Sequence, residues 1–263
     1  MIHWCSYCQR LLGEVPPLLR YDVSHGICQR CVVRLDAGEP LVAENQEIVR
    51  FFRDLFSAGR ASDRRTCAHL VAQARMRGYG RLEVLVGLLQ PALVEIGRQW
   101  ERAEVTVADE HRFTTWCETM LELLDPPPPA VGPLDILLLV APNNQHVLGP
   151  RFVEQVLLAR GIAALCVPSE LPIAEVLDLA TQHGASWIGY SCALPHHVSA
   201  ALDVIEQLIH RGYEGEFLLS GHALRRHPEL AAGAPAQLVL TIDEAYDTIV
   251  EARRQRVHRF SES

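Results

Sequence analysis

Apolar positions change their period along this chain. Between residues 42 and 125 they recur every three to four residues, and from 134 onward they fall into short continuous runs separated by helical stretches. The segments ENQEIVRFFRDLFSAG, TCAHLVAQARMRG, LEVLVGLLQPALVEIGRQW and DEHRFTTWCETMLELL each put an apolar stripe on one helical face. With short breaks at Gly59, Gly78-Tyr79-Gly80 and Ala103, they predict a four-helix bundle over 42–125. Pro91 lacks an amide hydrogen and crowds the preceding turn, so the third helix is expected to kink there. Thr106 is the expected N-cap of the fourth helix, with Asp109 three residues on and Glu110 in the same turn.

Pro126 to Pro129 read as a stiff, extended linker, assigned to 126–133. Beyond it, LDILLLVA, IAALCVP, SWIGYSC, EFLLSG and AQLVLT are strand-length apolar runs. Helices are expected near 150–160, 173–183, 196–211, 222–231 and 243–257. Near-continuous apolar strands are buried on both faces, which predicts a Rossmann-like, doubly wound parallel sheet over 134–257. Ligands of such sheets bind beyond the carboxyl ends of the strands, at the switch point. APNNQHVLG after the first strand and SCALPHH after the third belong to that edge.

Residues 1–40 form a third unit. They hold Cys5-x-x-Cys8 and Cys28-x-x-Cys31, 19 residues apart, a spacing that fits a tetrahedral structural zinc site. So short a unit with few large apolar residues would barely fold without such a staple. A redox pair or an iron–sulfur site is the alternative. Loss of its metal is expected to unfold 1–40 locally and to leave the bundle and the sheet, with any ligand they bind, intact, since these have their own cores. Four arginines (Arg10, Arg20, Arg30, Arg34) face four acids (Glu14, Asp22, Asp36, Glu39), and thiolates would add negative charge. DNA binding is therefore not expected.

The net charge of −8 likewise lacks the basic balance of a nucleic-acid binder. No apolar run is long enough to span a bilayer, and MIHWCSYC does not resemble a signal peptide. The cysteines outside the two pairs are scattered singly through apolar segments, as in reduced cytoplasmic proteins. A cytoplasmic location is expected.

Two residue sets carry the chemistry. Trp100 is followed, after nine residues, by Glu110-His111; Asn144-x-His146-x-x-Gly149 lies some 35 residues beyond. A histidine after a strand is, taken alone, a surface loop residue, and Trp100 alone could be core. In this order the two sets resemble the cobalamin-binding module of CarH-type light sensors, including photocobilin-like relatives, itself related to methionine-synthase-like corrinoid proteins. The resemblance covers roughly residues 45–250 and leaves out the DNA-binding domain of those sensors.

That resemblance implies His146 as the lower axial ligand to cobalt, a metal that imidazole suits. The family motif is D-x-H-x-x-G, so Asn144 stands in place of the acid and Gly149 allows close approach of the cofactor's nucleotide tail. Ser191, Ala193 and Gly221 would line the slot for that tail, although small residues after strands are also ordinary turn chemistry. Trp100, Glu110 and His111 would contact the upper face of adenosylcobalamin. Family members that form a bis-histidine state after illumination carry His directly after the Trp, where this chain has Glu101.

The implied function is light sensing, in which breakage of the cobalt–carbon bond alters domain packing and signalling, without substrate turnover. A homo-oligomer, with a dimer favoured, and a downstream protein partner are expected. The alternatives are a corrinoid methyl carrier of a methyltransferase system, or a bilin- or haem-binding sensor on the same fold. A bilin would be a second chromophore, but no residue marks its attachment; Cys166 and Cys192 are the nearest candidates. His196, His197, His222 and His227 are expected to be solvated loop residues.

Overall fold

A computed structural model describes residues 1–124, 127 and 132–261, with side chains to residue 255. Most of the expected linker at 126–133 lies outside these residues. The chain divides into two compact units, Met1–Pro126 and Pro127–Ser263.

The first unit opens with three short strands that the apolar pattern did not predict: β1 (Ile2–Cys5), β2 (Leu11–Glu14) and β3 (Val23–Gly26). β1 is central, antiparallel to β2 and parallel to β3. Helix α1 (Gln29–Asp36) follows, and then the bundle: α2 (Asn45–Arg60), α3 (Arg64–Met76), α4 (Arg81–Val84), α5 (Gln90–Glu101) and α6 (Val107–Leu123). Each long helix buries the predicted stripe, with Ile48, Phe51 and Leu55 on α2 and Phe113, Trp116 and Met120 on α6.

Gly59, expected as a break, lies inside α2. A Cβ there would come within 2.5 Å of the Phe113 ring, so the missing side chain lets α2 and α6 approach closely. The helix ends instead at Arg60, just before Ser62, whose φ of 53° is left-handed, and Asp63 caps α3 by accepting from the amides of Arg65 and Thr66. Thr106 and Asp109 form a capping box at the start of α6: the Thr106 hydroxyl accepts from the Asp109 amide at 3.2 Å, and the Thr106 amide donates back at 2.9 Å.

The expected kink at Pro91 takes the form of a π-helical turn, Leu85–Leu89, joining α4 to α5. Pro91 offers no hydrogen to the carbonyl four residues back, and the widened turn absorbs the resulting mismatch.

The second unit is a five-stranded, wholly parallel sheet of β4 (Ile136–Val140), β5 (Ala164–Val167), β6 (Trp187–Ser191), β7 (Glu216–Ser220) and β8 (Gln237–Leu238). Their spatial order is β5-β4-β6-β7-β8. Helices α7 (Leu148–Ala159), α8 (Ile173–Gln182), α9 (Pro195–His210), α10 (His222–Arg226) and α11 (Ile242–Ser261) cover both faces. Leu137, Leu139, Ile188, Tyr190 and Leu219 pack with residues of α8 and α9; Ile136, Leu138, Trp187 and Leu218 pack with α7 and α11. Apolar side chains are thus needed on both faces of the central strand positions, which explains the near-continuous runs.

The chain turns one way from β4 to β5 and the other way from β5 to β6, so the topological switch point falls between β4 and β6. The single helix expected over 222–231 splits, because the residue before Pro228 disfavours helical geometry; α10 ends and a 3₁₀ turn, Pro228–Ala231, follows. Among the described residues, no helix is long and apolar enough to cross a membrane.

Candidate functional site

The loop between β4 and α7 carries Asn144 and His146 beyond the carboxyl end of β4, at the switch point. Asn144 is buried, 6% exposed, and its amide is fixed from several directions. Its Nδ2 donates to the Ser191 carbonyl at 2.8 Å, and its backbone amide donates to the Ala141 carbonyl at 3.0 Å. With Nδ2 so committed, Oδ1 must face the other way. It lies 3.0 Å from both the backbone nitrogen and Nδ1 of His146. An amide oxygen only accepts, so Nδ1 of His146 carries the proton and Nε2 keeps its lone pair. The His146 side chain stands at the surface with that nitrogen available to a metal.

Gly149 sits at the start of α7, where an added Cβ would lie 3.9 Å from the Ser191 hydroxyl. These two expected residues therefore lie beside each other, and a side chain at 149 would touch the Ser191 hydroxyl. Ala193, in the loop after β6, is half-buried. Gly221 has a more local reason to be glycine. Its φ is 115°, and a Cβ would lie 2.3 Å from the Cys192 carbonyl oxygen. The ends of the parallel neighbours β6 and β7 lie close here, with the Cys192 amide donating to the Ser220 carbonyl at 2.8 Å.

His197, expected among the solvated loop histidines, is buried at 1% exposure. Its Nδ1 accepts from the Leu194 amide at 3.2 Å, and its ring also bonds to the backbone of Asn143. Burial, aided by the charges of His196 and His146 and opposed by that Asn143 bond, holds the His197 ring below the usual imidazole range. Asn143 has a left-handed φ of 61°, and its amide donates to Glu170 at 3.1 Å. His197 and Glu170 thus pin the residue before Asn144. A sequence signal for His197 did exist: it heads the stripe His197, Ala201, Ile205, Leu208 that α9 buries. Nothing local marks Glu170. His196 is exposed, and His227 pairs with Glu229 at 3.1 Å. Burial pushes the Cys192 thiol up to about 12 and the Cys166 thiol, beside Glu154, likewise to about 12, so neither is a ready nucleophile for a chromophore.

In the first unit, Trp100 occupies the last turn of α5 and is 49% exposed. Glu110 and His111 lie in the opening turns of α6, after a break in which Ala103 adopts a left-handed φ of 57°. Glu110 accepts from the Thr114 hydroxyl at 2.9 Å and lies 3.6 Å from Nε2 of the exposed His111.

The ligand atoms of Cys5, Cys8, Cys28 and Cys31 all lie within 4.8 Å of one another. Cys8 and Cys28 sulfurs are 3.6 Å apart, and the Cys28 amide points at the Cys5 sulfur from 3.4 Å. Burial raises the Cys5 thiol, but hydrogen bonds from the backbones of Cys8, Cys28 and Tyr7 and from the Cys8 side chain outweigh it and bring it down to about 6. Cys31, fully buried against the other three sulfurs, is pushed up to about 12.

Residues 52–125 match the family model of the B12 binding domain, a match that implies a cobalamin cofactor. No curated protein sequence matches the chain. The monomethylamine corrinoid protein of Methanosarcina barkeri superposes with a TM-score of 0.64 at 19% identity, covering 80% of this chain and all, 100%, of that one. A cobalamin-binding protein from Desulfitobacterium hafniense DCB-2 gives 0.37 at 12% identity, covering 77% of this chain and 97% of that one. A methanol:cobalamin methyltransferase complex from Methanosarcina barkeri gives 0.39 at 13% identity, with 87% and 92% covered. The first of these likenesses establishes a shared fold. The chain is therefore similar to B12 binding domains over its helical region and to a corrinoid protein in fold.

Proposed function

We propose that this chain binds cobalamin with His146 as the lower ligand to cobalt, and that it serves as a light sensor for the adenosyl form. One observation carries the reading: Asn144, locked by Ser191, holds the Nδ1 proton of His146 and leaves Nε2 free. An amide orients the ring as the family's carboxylate does, but it takes no proton from it. Gly149 and Ser191 lie beside each other, with no side chain at 149 to fill the space, and with Ala193 they would line the slot for the nucleotide tail; Gly221 would border it while letting the ends of β6 and β7 lie close. Bound adenosylcobalamin would supply a light-labile cobalt–carbon bond.

The half-exposed indole of Trp100 gives an apolar face able to keep water from an upper group. Glu110 and His111 offer a carboxylate and an imidazole for a ribose hydroxyl. Loss of that upper group would remove contacts made in only one state, which is what a switch requires. Glu101, where bis-histidine sensors carry His, rules out that end state through the neighbour of Trp100. The fold shared with the monomethylamine corrinoid protein supports a second reading, a methyl carrier for a methyltransferase.

The two readings separate when the full chain, loaded with adenosylcobalamin, is compared before and after green light. The sensor reading expects a changed absorption spectrum together with a changed hydrodynamic radius. A radius that stays constant while the chain gives up methyl groups from methylcobalamin to a thiol acceptor would leave the carrier reading in its place.

A further inference from the structure

We propose that Cys5, Cys8, Cys28 and Cys31 bind one Zn²⁺, and that this ion supports the helical unit through Trp4 and α5 instead of stapling a free-standing appendage. The proposal does not depend on the corrinoid reading.

The sulfur geometry selects a single ion. Tetrahedral zinc with sulfur at about 2.3 Å sets neighbouring sulfurs about 3.8 Å apart. The four ligand atoms fall within 4.8 Å, and Cys8 and Cys28 are separated by 3.6 Å. That is too long for a disulfide and too tight for the bridging sulfides of an iron–sulfur cluster. Two backbone turns shape the site. Gln9, at a left-handed φ of 53°, returns its amide to the Cys5 carbonyl at 3.1 Å, and the Cys31 amide closes on the Cys28 carbonyl at 2.9 Å. The amide aimed at the Cys5 sulfur offsets negative charge that four thiolates around one dication leave behind.

The site lies against the helices. Trp4, adjacent to the ligand Cys5, is fully buried, with its ring 5.9 Å from that of Tyr79. Its indole occupies the space over Gly87, where a Cβ would come within 2.3 Å of it. Gly87 belongs to the π-helical turn that opens into α5. Further along α5, Gln90 donates to Glu14 at 3.0 Å and Arg98 donates to the Leu19 carbonyl at 2.8 Å. The strand segment thus follows α5 to within two residues of Trp100. Among residues 1–40 the buried apolar side chains are Ile2, Trp4, Cys5, Leu11, Tyr21 and Cys31, and two of these are ligands. Without the ion, too little core remains to hold Trp4 in place.

The test combines elemental analysis of the full chain with hydrogen exchange before and after zinc is released by a thiol-modifying reagent. Zinc is expected at about one per chain. Its release should speed exchange at least about tenfold in residues 2–14 and 85–100 while leaving β4, β6 and β7 unchanged. A Trp4→Phe chain should keep its zinc yet exchange faster at 85–89, separating the contact from the metal. Cys8→Ser, which alters the one exposed ligand, should fold and lose zinc to a chelator faster. Iron with labile sulfide, absence of zinc, or unchanged exchange at 85–100 after zinc release would each overturn the proposal.

Discussion

Asn144 places one side-chain oxygen 3.0 Å from both the backbone nitrogen and Nδ1 of His146, while its amide nitrogen is tied to Ser191. The arrangement sets the tautomer of a surface histidine by means of a buried neighbour. Asn144→Ala should therefore weaken lower-face ligation without removing the ligand. Orienting partners of this kind contribute about 10–100-fold in metal affinity. Spectrophotometric titration with cobalamin should show that loss, whereas His146→Ala should abolish histidine ligation. Equal behaviour of Asn144→Ala and the parent chain would mean that the amide does not hold the ring.

His197 gives the cofactor-free chain a pH dependence. Its folded ring titrates below the usual value, so the unfolded chain takes up the proton first as pH falls. The neutral ring's contribution is complete above the unfolded value of about 6.5 and is lost as pH drops from there through the folded value. Urea denaturation from pH 7.5 to 5 should show stability falling more steeply for the parent than for His197→Gln. Parallel curves would show that the buried ring is not the source.

Much of this was readable beforehand, and the exceptions share a cause. The unbroken runs of β4, β6 and β7 and the Thr106–Asp109 cap are local signals, and they gave the sheet and the start of α6. β1, β2 and β3 have four residues each, too few for an alternation such as Ile2-His3-Trp4 to stand out from the surrounding chain. The π turn packs Gly87 under Trp4, more than eighty positions away, and the buried ring of His197 bonds to Asn143, some fifty positions away. The motif could place Asn144 near His146, but the bond to Ser191 that turns its amide becomes visible only once β4 and β6 are paired.

Gly221 separates folding from binding. With φ at 115° and the Cys192 carbonyl 2.3 Å from an added Cβ, Gly221→Ala should destabilise the second unit. The loss should be about 2–4 kcal/mol, from backbone strain and displaced β6–β7 contacts. Chemical denaturation of the cofactor-free protein reads it. A variant as stable as the parent would return this glycine to a purely cofactor-facing role.

Trp100 should behave in the opposite manner. Being 49% exposed, its replacement by Ala should change stability by less than about 1 kcal/mol. Its effect belongs to the upper face: preference for adenosylcobalamin over methylcobalamin should fall while lower ligation persists. Competition binding of the two forms measures this directly, and an unchanged preference would remove Trp100 from the site.

The central claim, that the imidazole of His146 binds cobalt, is open to one isotopic measurement. The chain is produced with ¹⁵N-labelled histidine, loaded with cobalamin and reduced to the paramagnetic cobalt(II) form for electron paramagnetic resonance. If a histidine nitrogen is the axial ligand, the threefold superhyperfine splitting of the unlabelled sample should become twofold, and His146→Ala should show neither histidine pattern. A threefold splitting that survives the label would mean that some other nitrogen holds the cobalt, and the assignment would fail.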